Sequence, residues 1–299
     1  MLFQLKKKIK HMSFDLYCRG ILETPPLKTV KGGPYILSLV CHTDLIMYLV
    51  AIKSLYSSLK MGEVVVIDDG TLTHKDKNIL SEHVSPSMIL HVDSVYSDET
   101  PDDVSWKRLL HVVELVQNNY VIQVDSDTVT LGPVSEVVRA VAENRSFTLG
   151  TWKGQKIERM KVTVDRVKEI EGNHVQVVAE KNFEKLKRYE ELNYVRGCAA
   201  FAGFGSKSFS LEEVESFSGE MKRVIGEKWR DWGSEQVTTN YLVANVKDGF
   251  VLPFPKYSGY RPDANYDSVF LHFVGSQRFK DGAYVRCARK VIEGLKCSP

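Results

Sequence analysis

The chain has 299 residues, 43% of them hydrophobic and 26% charged, with a formal net charge of +2. That balance is ordinary for a globular protein and offers no electrostatic case for nucleic acid as a partner. Five scattered cysteines (Cys18, Cys41, Cys198, Cys287, Cys297) without CxxC or CxH spacing argue against a disulfide framework and a structural zinc site, and fit reduced thiols in a cytoplasmic compartment.

The opening stretch, MLFQLKKKIKHMSF, sets Leu2, Phe3, Leu5, Ile9, Met12 and Phe14 around Lys6, Lys7, Lys8 and Lys10. It reads as a basic amphipathic extension over residues 1–30. Such a segment either rests peripherally on an anionic inner membrane face or is a surface helix with a solvated lysine side. No apolar run has the length of a membrane span or the character of a signal-peptide core. Beyond Pro25-Pro26 and Gly32-Gly33-Pro34, the patterning predicts a strand at Tyr35–Cys41, a helix at Asp44–Leu59 and a strand at Glu63–Ile67. A helix near residues 73–83, a strand at Met88–Val92, a helix at Ser105–Gln117 and a strand from Tyr120 follow. This alternation is the signature of an α/β domain whose central sheet is mostly parallel, with helices on both faces.

The second half is less regular. A helix is predicted at Val134–Asn144 and a strand at Ser146–Trp152. Residues 153–194 are charged and poorly patterned, an insertion or acceptor-side subregion with a strand at His174–Val178 and a helix at Lys181–Glu191. The small residues of Val195–Phe204 (VRGCAAFAGF) suggest close backbone approach beside the sheet. Helices at Leu211–Ile225 and Trp232–Ala244, a Pro/Tyr/Gly loop over Pro253–Asp267, a strand at Val269–Val274 and a helix at Ala283–Leu295 complete the chain. Nothing in composition marks a domain boundary, so residues 31–299 read as one domain.

The chemistry concentrates where apolar strands end. Tyr120–Val124 runs straight into Asp125-Ser126-Asp127. Carboxylates two residues apart on an extended backbone project to the same side and repel each other unless a divalent cation or a set of donors compensates. With 38 acidic residues in the chain, about one Asp-x-Asp is expected by chance. This one stands alone and closes a strongly apolar strand; the plain alternative is an Asx turn or N-cap pair before the next helix. Asp68-Asp69-Gly70 closes another strand, where a carboxylate can accept from a uracil imide or ribose hydroxyls, or simply form a turn. His272, in VFLHFVGSQRFKDG, is either a core histidine or a metal ligand, and the Gly275, Arg278 and Lys280 behind it suit a diphosphate.

Together these segments resemble a glycosyltransferase of the GT-A (Rossmann-like) fold, a nucleotide-diphospho-sugar transferase. VVVIDDG resembles the second-strand motif of family 2 enzymes, and VIQVDSDTVTLGPVSEV the DxD strand and helix of family 8-like enzymes. HFVGSQRF resembles their HFxGxxK, with Arg278 in the lysine's place. SEQVTTNYL resembles DQDxLN, with Glu235 in the first acidic place, and VRGCAAFAG a preceding strand whose usual Asn is missing. The resemblance spans about residues 35–280. It implies that Asp125, Asp127 and His272 hold manganese or magnesium, and that Asp125, Ser126, Gly275, Arg278 and Lys280 face the donor diphosphate. It further implies that Cys41, His42, Thr43 and Asp68 or Asp69 bind base and ribose, and that Lys107 touches the donor. Glu235 would sit near the reacting carbon with Asp127 as its catalytic partner, and polysaccharide biosynthesis would be the setting.

The implied activity is hexosyl transfer from a nucleotide sugar, UDP-linked by preference, to a glycan or lipid-linked hydroxyl. Retention is slightly favoured; inversion with Glu235 as general base is the alternative. Trp232 and Tyr257 are candidates for the acceptor side, because aromatic faces pack on sugar rings. A sugar nucleotidyltransferase would want a Gly-rich loop after the first strand, where SLVCHTD has none. A non-catalytic carbohydrate- or nucleotide-binding relative is the third reading.

Overall fold

The computed structural model describes residues 2–262 and 267–297; part of the Pro253–Asp267 loop and the side chains of the Lys6–Lys8 cluster lie outside the described residues. In chain order the elements are α1 (Leu2–Cys18), β1 (Tyr35–Val40), α2 (Leu45–Leu59), β2 (Glu63–Asp68), α3 (His74–His83), β3 (Met88–His91), α4 (Val104–Val116), β4 (Val121–Val124) and β5 (Thr128–Thr130). There follow α5 (Ser135–Ala142), β6 (Phe147–Leu149), β7 (Glu158–Arg159), α6 (Met160–Val167), α7 (Val175–Lys181), β8 (Asn193–Tyr194) and β9 (Cys198–Phe204). The last are α8 (Leu211–Ile225), α9 (Ser234–Asn245), β10 (Phe250–Val251), β11 (Tyr257–Gly259), β12 (Phe270–His272) and α10 (Ala283–Lys296). In the large sheet β1, β2 and β3 are neighbours in that order, as are β10, β6 and β9. The predicted α/β class with a large, mostly parallel sheet is therefore the fold observed. Among the described residues no helix is long and apolar enough to cross a membrane.

The residues group into two compact units. One comprises Met1–His91, Val124–Val138 and Pro255–Pro299, the other Val92–Gln123 and Arg139–Phe254. Each is assembled from separated segments, which is why no shift in composition marks a boundary.

In the first unit β1, β2 and β3 pair in parallel, with Leu37 opposite Val65 and Ile67 opposite Leu90. The side chains of β1 and β2 form near-continuous apolar runs because a parallel strand inside the sheet is covered on both faces, whereas the edge strand β3 leaves Ile89 exposed. Helix α2 is buried almost all round, including Met47, Leu49, Ile52 and Leu55. It ends on Lys60 in the left-handed region, followed by Gly62 at φ +92°, where a Cβ would meet the Pro34 carbonyl at 2.4 Å. Only glycine fits that turn. Helix α3 opens on a Thr73–Asp76 capping box. A second sheet joins β11, β12 and β5.

In the second unit β6 pairs antiparallel with β9 and parallel with β10. The expected close approach at Val195–Phe204 is present: a Cβ on Gly197 would fall 2.4 Å from Thr148 Oγ1 and 2.7 Å from Asn240 Oδ1. Residues 174–191 differ from expectation. His174–Val178 is not a strand. His174 caps helix α7, its Nδ1 accepting from the Gln176 amide at 3.2 Å, and Val175, Val177 and Ala179 are buried. A cap and tertiary packing override the β propensity of the valines. The predicted Lys181–Glu191 helix shrinks to a single 3₁₀ turn at Phe183–Lys185.

Candidate metal and diphosphate site

The Asp-x-Asp turn is held by its own backbone carbonyls. Ser38 Oγ donates to the Val124 carbonyl at 2.8 Å, fixing the end of β4. Thr128 Oγ1 then donates to Asp125 O at 2.9 Å, the Tyr284 hydroxyl to Ser126 O at 3.2 Å, and the Phe273 amide to Asp127 O at 2.9 Å. With all three turn carbonyls engaged, the carboxylates project from a fixed frame. The last of these bonds continues the β5–β12 ladder, in which His272 stands opposite Thr128. That antiparallel pairing carries His272 across about 145 residues of chain to the edge of the turn.

The ligand atoms of Asp125, Asp127 and His272 lie within 4.8 Å of one another, with Asp127 and His272 each only 5% exposed. Asp127 Oδ1 is 3.3 Å from His272 Nε2, and its Oδ2 accepts from Arg278 Nη2 at 2.5 Å. Burial alone would raise the Asp127 carboxyl, but the His272 and Arg278 charges outweigh it and hold the group below the usual carboxylate range. Two carboxylates and an imidazole make a mixed O,O,N donor set of a kind that suits a divalent cation. Ligands about 2.1 Å from one ion sit about 3 Å apart when adjacent and about 4.2 Å when opposite, so side-chain adjustment on the order of an ångström would bring the three onto one ion. The residues therefore fit a divalent cation.

The same unit carries a second cluster. Asp68 is a brace: Oδ2 pairs with Lys77 Nζ at 2.8 Å, while Oδ1 accepts from the Gly70 and Leu72 amides at 2.9 and 3.2 Å. Asp69 is the more exposed carboxylate, accepting from the Thr71 amide and hydroxyl through Oδ1. Thr71 Oγ1 accepts from the His42 amide at 2.9 Å, which ties the Asp69–Thr71 turn to the Cys41–Thr43 loop, and His42 Nδ1 lies 2.7 Å from Asp76 Oδ2. Cys41 Sγ is 3.3 Å from Thr43 Oγ1. Gly275, at φ +49°, opens the short turn Gly275–Gln277 that delivers Arg278 to Asp127; Lys280 is exposed just beyond it.

In the second unit Lys107 Nζ pairs with Asp93 at 2.6 Å and Asp102 at 2.8 Å. Glu235, 3% exposed in the first turn of α9, accepts from Arg108 Nη2 at 3.3 Å and Thr239 Oγ1 at 3.1 Å. Trp106 Nε1 donates to Ser234 Oγ at 2.7 Å, locking α4 to the start of α9. Gln236 accepts from the Ala199 amide at 3.2 Å and donates to Gln176 at 3.3 Å. Of the two aromatic candidates, Trp232 is 72% exposed, its ring meeting His174 edge-on. Tyr257 lies in the first unit, is fully buried and donates its hydroxyl to Glu136 at 2.8 Å, so it presents no free ring face.

Sequence reasoning did not reach Tyr284, Ser38 or Arg108. A tyrosine in a closing helix and a serine inside an apolar strand carry no local signal, and Arg108 is one cation among 40.

No protein-family model matches the chain, and no curated protein matches it. Solved structures do. An active-site mutant of LgtC aligns over 89% of this chain and 97% of its own length, with a TM-score of 0.53 at 10% identity. The bifunctional glycosyltransferase WbbM aligns over 92% of this chain with a TM-score of 0.51 at 16% identity, and the chain spans about half (51%) of WbbM. At such identities the likeness is one of fold, and the fold is GT-A.

Proposed function

We propose that the chain is a metal-dependent glycosyltransferase that moves a sugar, UDP-linked by preference, from a nucleotide-diphosphate donor to a glycan or lipid-linked hydroxyl. The observation that carries this reading is the convergence of Asp125, Asp127 and His272 with Arg278 on one side of the Asp-x-Asp turn. The likeness in fold to WbbM, a bifunctional glycosyltransferase, supports it.

Asp125, Asp127 and His272 would hold manganese or magnesium. When bound, such an ion supplies Lewis-acid stabilisation of a departing nucleoside diphosphate. Arg278 offers a planar fork of donors that suits phosphate oxygens as well as it suits the Asp127 carboxylate. The Cys41–Thr43 loop and Asp69 are the base and ribose side, with Asp69 rather than the fully engaged Asp68 free to accept from the donor. Lys107 is already paired with Asp93 and Asp102, so a part in donor binding would require it to exchange one of those carboxylates for the donor. Glu235, already engaged by Arg108 and Thr239, suits a positioning part beside Gln236 better than that of a mobile base, which favours retention. The setting is cytoplasmic polysaccharide synthesis, with peripheral contact at the inner membrane face through α1.

A panel of nucleotide sugars, each with manganese, tests this by thermal shift and donor turnover. One donor should raise the melting temperature by several degrees, since saturating ligand at about 100 times its Kd stabilises by about 2.7 kcal/mol. Full turnover in excess chelator would refute the metal-dependent reading.

A further inference from the structure

Helix α1 has two apolar faces, and one of them is used. The His11 ring centroid lies 4.9 Å from that of Phe279, the Phe14 ring meets Tyr284 of α10 at 4.3 Å in a tilted contact, and Cys18 is fully buried. On the other side Ile9, Met12 and Leu16 follow one another at three- and four-residue spacing with Tyr17 beside them, exposed by 54, 61, 65 and 61%. A continuous stripe of that kind on an otherwise packed helix is unusual for a surface bathed only by water.

Charge identifies what covers it. Helices α1 and α10 together carry eight Lys and Arg residues against Asp15 and Glu293, in a chain whose net charge is only +2, so the remainder of the chain is net acidic. Lys10 is exposed on α1, and Arg286, Arg289 and Lys290 are exposed on α10. An apolar stripe on a helix pair that concentrates positive charge matches the interfacial layer of an anionic bilayer, which takes apolar side chains among the acyl chains and cations at headgroup level. We infer that the α1–α10 helix pair is a docking surface for anionic phospholipid, seated through Ile9, Met12, Leu16 and Tyr17. This deepens the peripheral contact named in the preceding reading. It also sets the lipid beside residues that line the cation site, because Phe279 follows Arg278 and Tyr284 holds the Ser126 carbonyl.

Vesicle sedimentation of the whole chain tests the inference without metal or donor, so its failure leaves the transferase reading standing, and the reverse. Wild-type protein should pellet with vesicles of phosphatidylcholine plus phosphatidylglycerol and stay in solution with phosphatidylcholine alone. Binding should fall about tenfold or more in the Met12→Glu/Leu16→Glu double variant and in Arg289→Glu/Lys290→Glu, and should weaken as salt shortens the screening length. All four substituted side chains are exposed, so unchanged melting curves verify folding. Equal binding to both vesicle types, or undiminished binding by the double variants, would overturn the inference. So would a lipid-free wild-type dimer in ultracentrifugation that Met12→Glu/Leu16→Glu dissolves, since a second copy would then own the stripe.

Discussion

Replacing Asp127 by Asn removes one charge while keeping the side chain's shape, and the structure sets what that should do. In the metal-free protein Asp127 is the shared partner of His272 and Arg278. Breaking a fully buried ion pair by removing one member costs about 3–5 kcal/mol, because the remaining charge is stranded. Two features lower that figure here. His272 can shed its proton, and the Arg278 side chain is 20% exposed, so water recovers part of its solvation. A loss of about 2 kcal/mol is expected, which in a chain of this size corresponds to a melting temperature about 4 °C lower in chelator. Manganese supplies the second, sharper measurement. The wild type should gain melting temperature with rising manganese as binding to the folded state demands, whereas Asp127→Asn should show little gain, having lost one of three ligands. Asp69→Asn, altered in the other cluster, should respond to manganese as the wild type does. Equal manganese stabilisation of wild type and Asp127→Asn would refute the assignment of the cation site.

Tyr284→Phe removes only the hydroxyl that holds the Ser126 carbonyl. It should cost about 1 kcal/mol in chemical denaturation and weaken manganese binding several-fold by calorimetry while circular dichroism is unchanged. Glu180 is fully buried beside Arg196, and burial pushes its carboxyl up to about 7 despite that cation. A raised folded-state value gives stability that is complete below the ordinary glutamate range and is lost as pH rises through about 7. Glu180→Gln should therefore flatten the decline in melting temperature between mildly acidic and alkaline buffer. Glu136 is the opposite case: burial would raise it, but Lys256 and the Tyr257 hydroxyl outweigh that and hold it down to about 2. Its contribution is present above the ordinary glutamate range and lost as pH falls toward 2. With the side chain 27% exposed, solvent screening reduces that contribution to about 1–2 kcal/mol. Glu136→Gln should narrow the gap in stability between neutral and acidic buffer by that amount.

Local pattern carried most of the fold. The runs YILSLV and EVVVI, and the strand entering Asp125-Ser126-Asp127, are apolar because a parallel strand buries both faces, and that requirement is written into consecutive residues. The helices between them show their periodicity and caps for the same reason. Residues 174–191 were not legible, because a valine-rich segment obeys its cap and its neighbours more than its own propensity.

The candidate cation site divides along the same line. Asp125-Ser126-Asp127 and His272 each stood out as residues of the right type at the end of an apolar strand, and sequence alone determined that much. Whether they meet depends on the antiparallel register that sets His272 against Thr128, on the Tyr284 hydroxyl at Ser126, and on the closure of Arg278 onto Asp127. It was likewise tertiary packing that made Asp68 a brace and left Asp69 more open, though the two stand side by side in the chain. Hydrogen-bonding capacity is a property of a residue; which partner consumes it is decided only when distant segments are brought together.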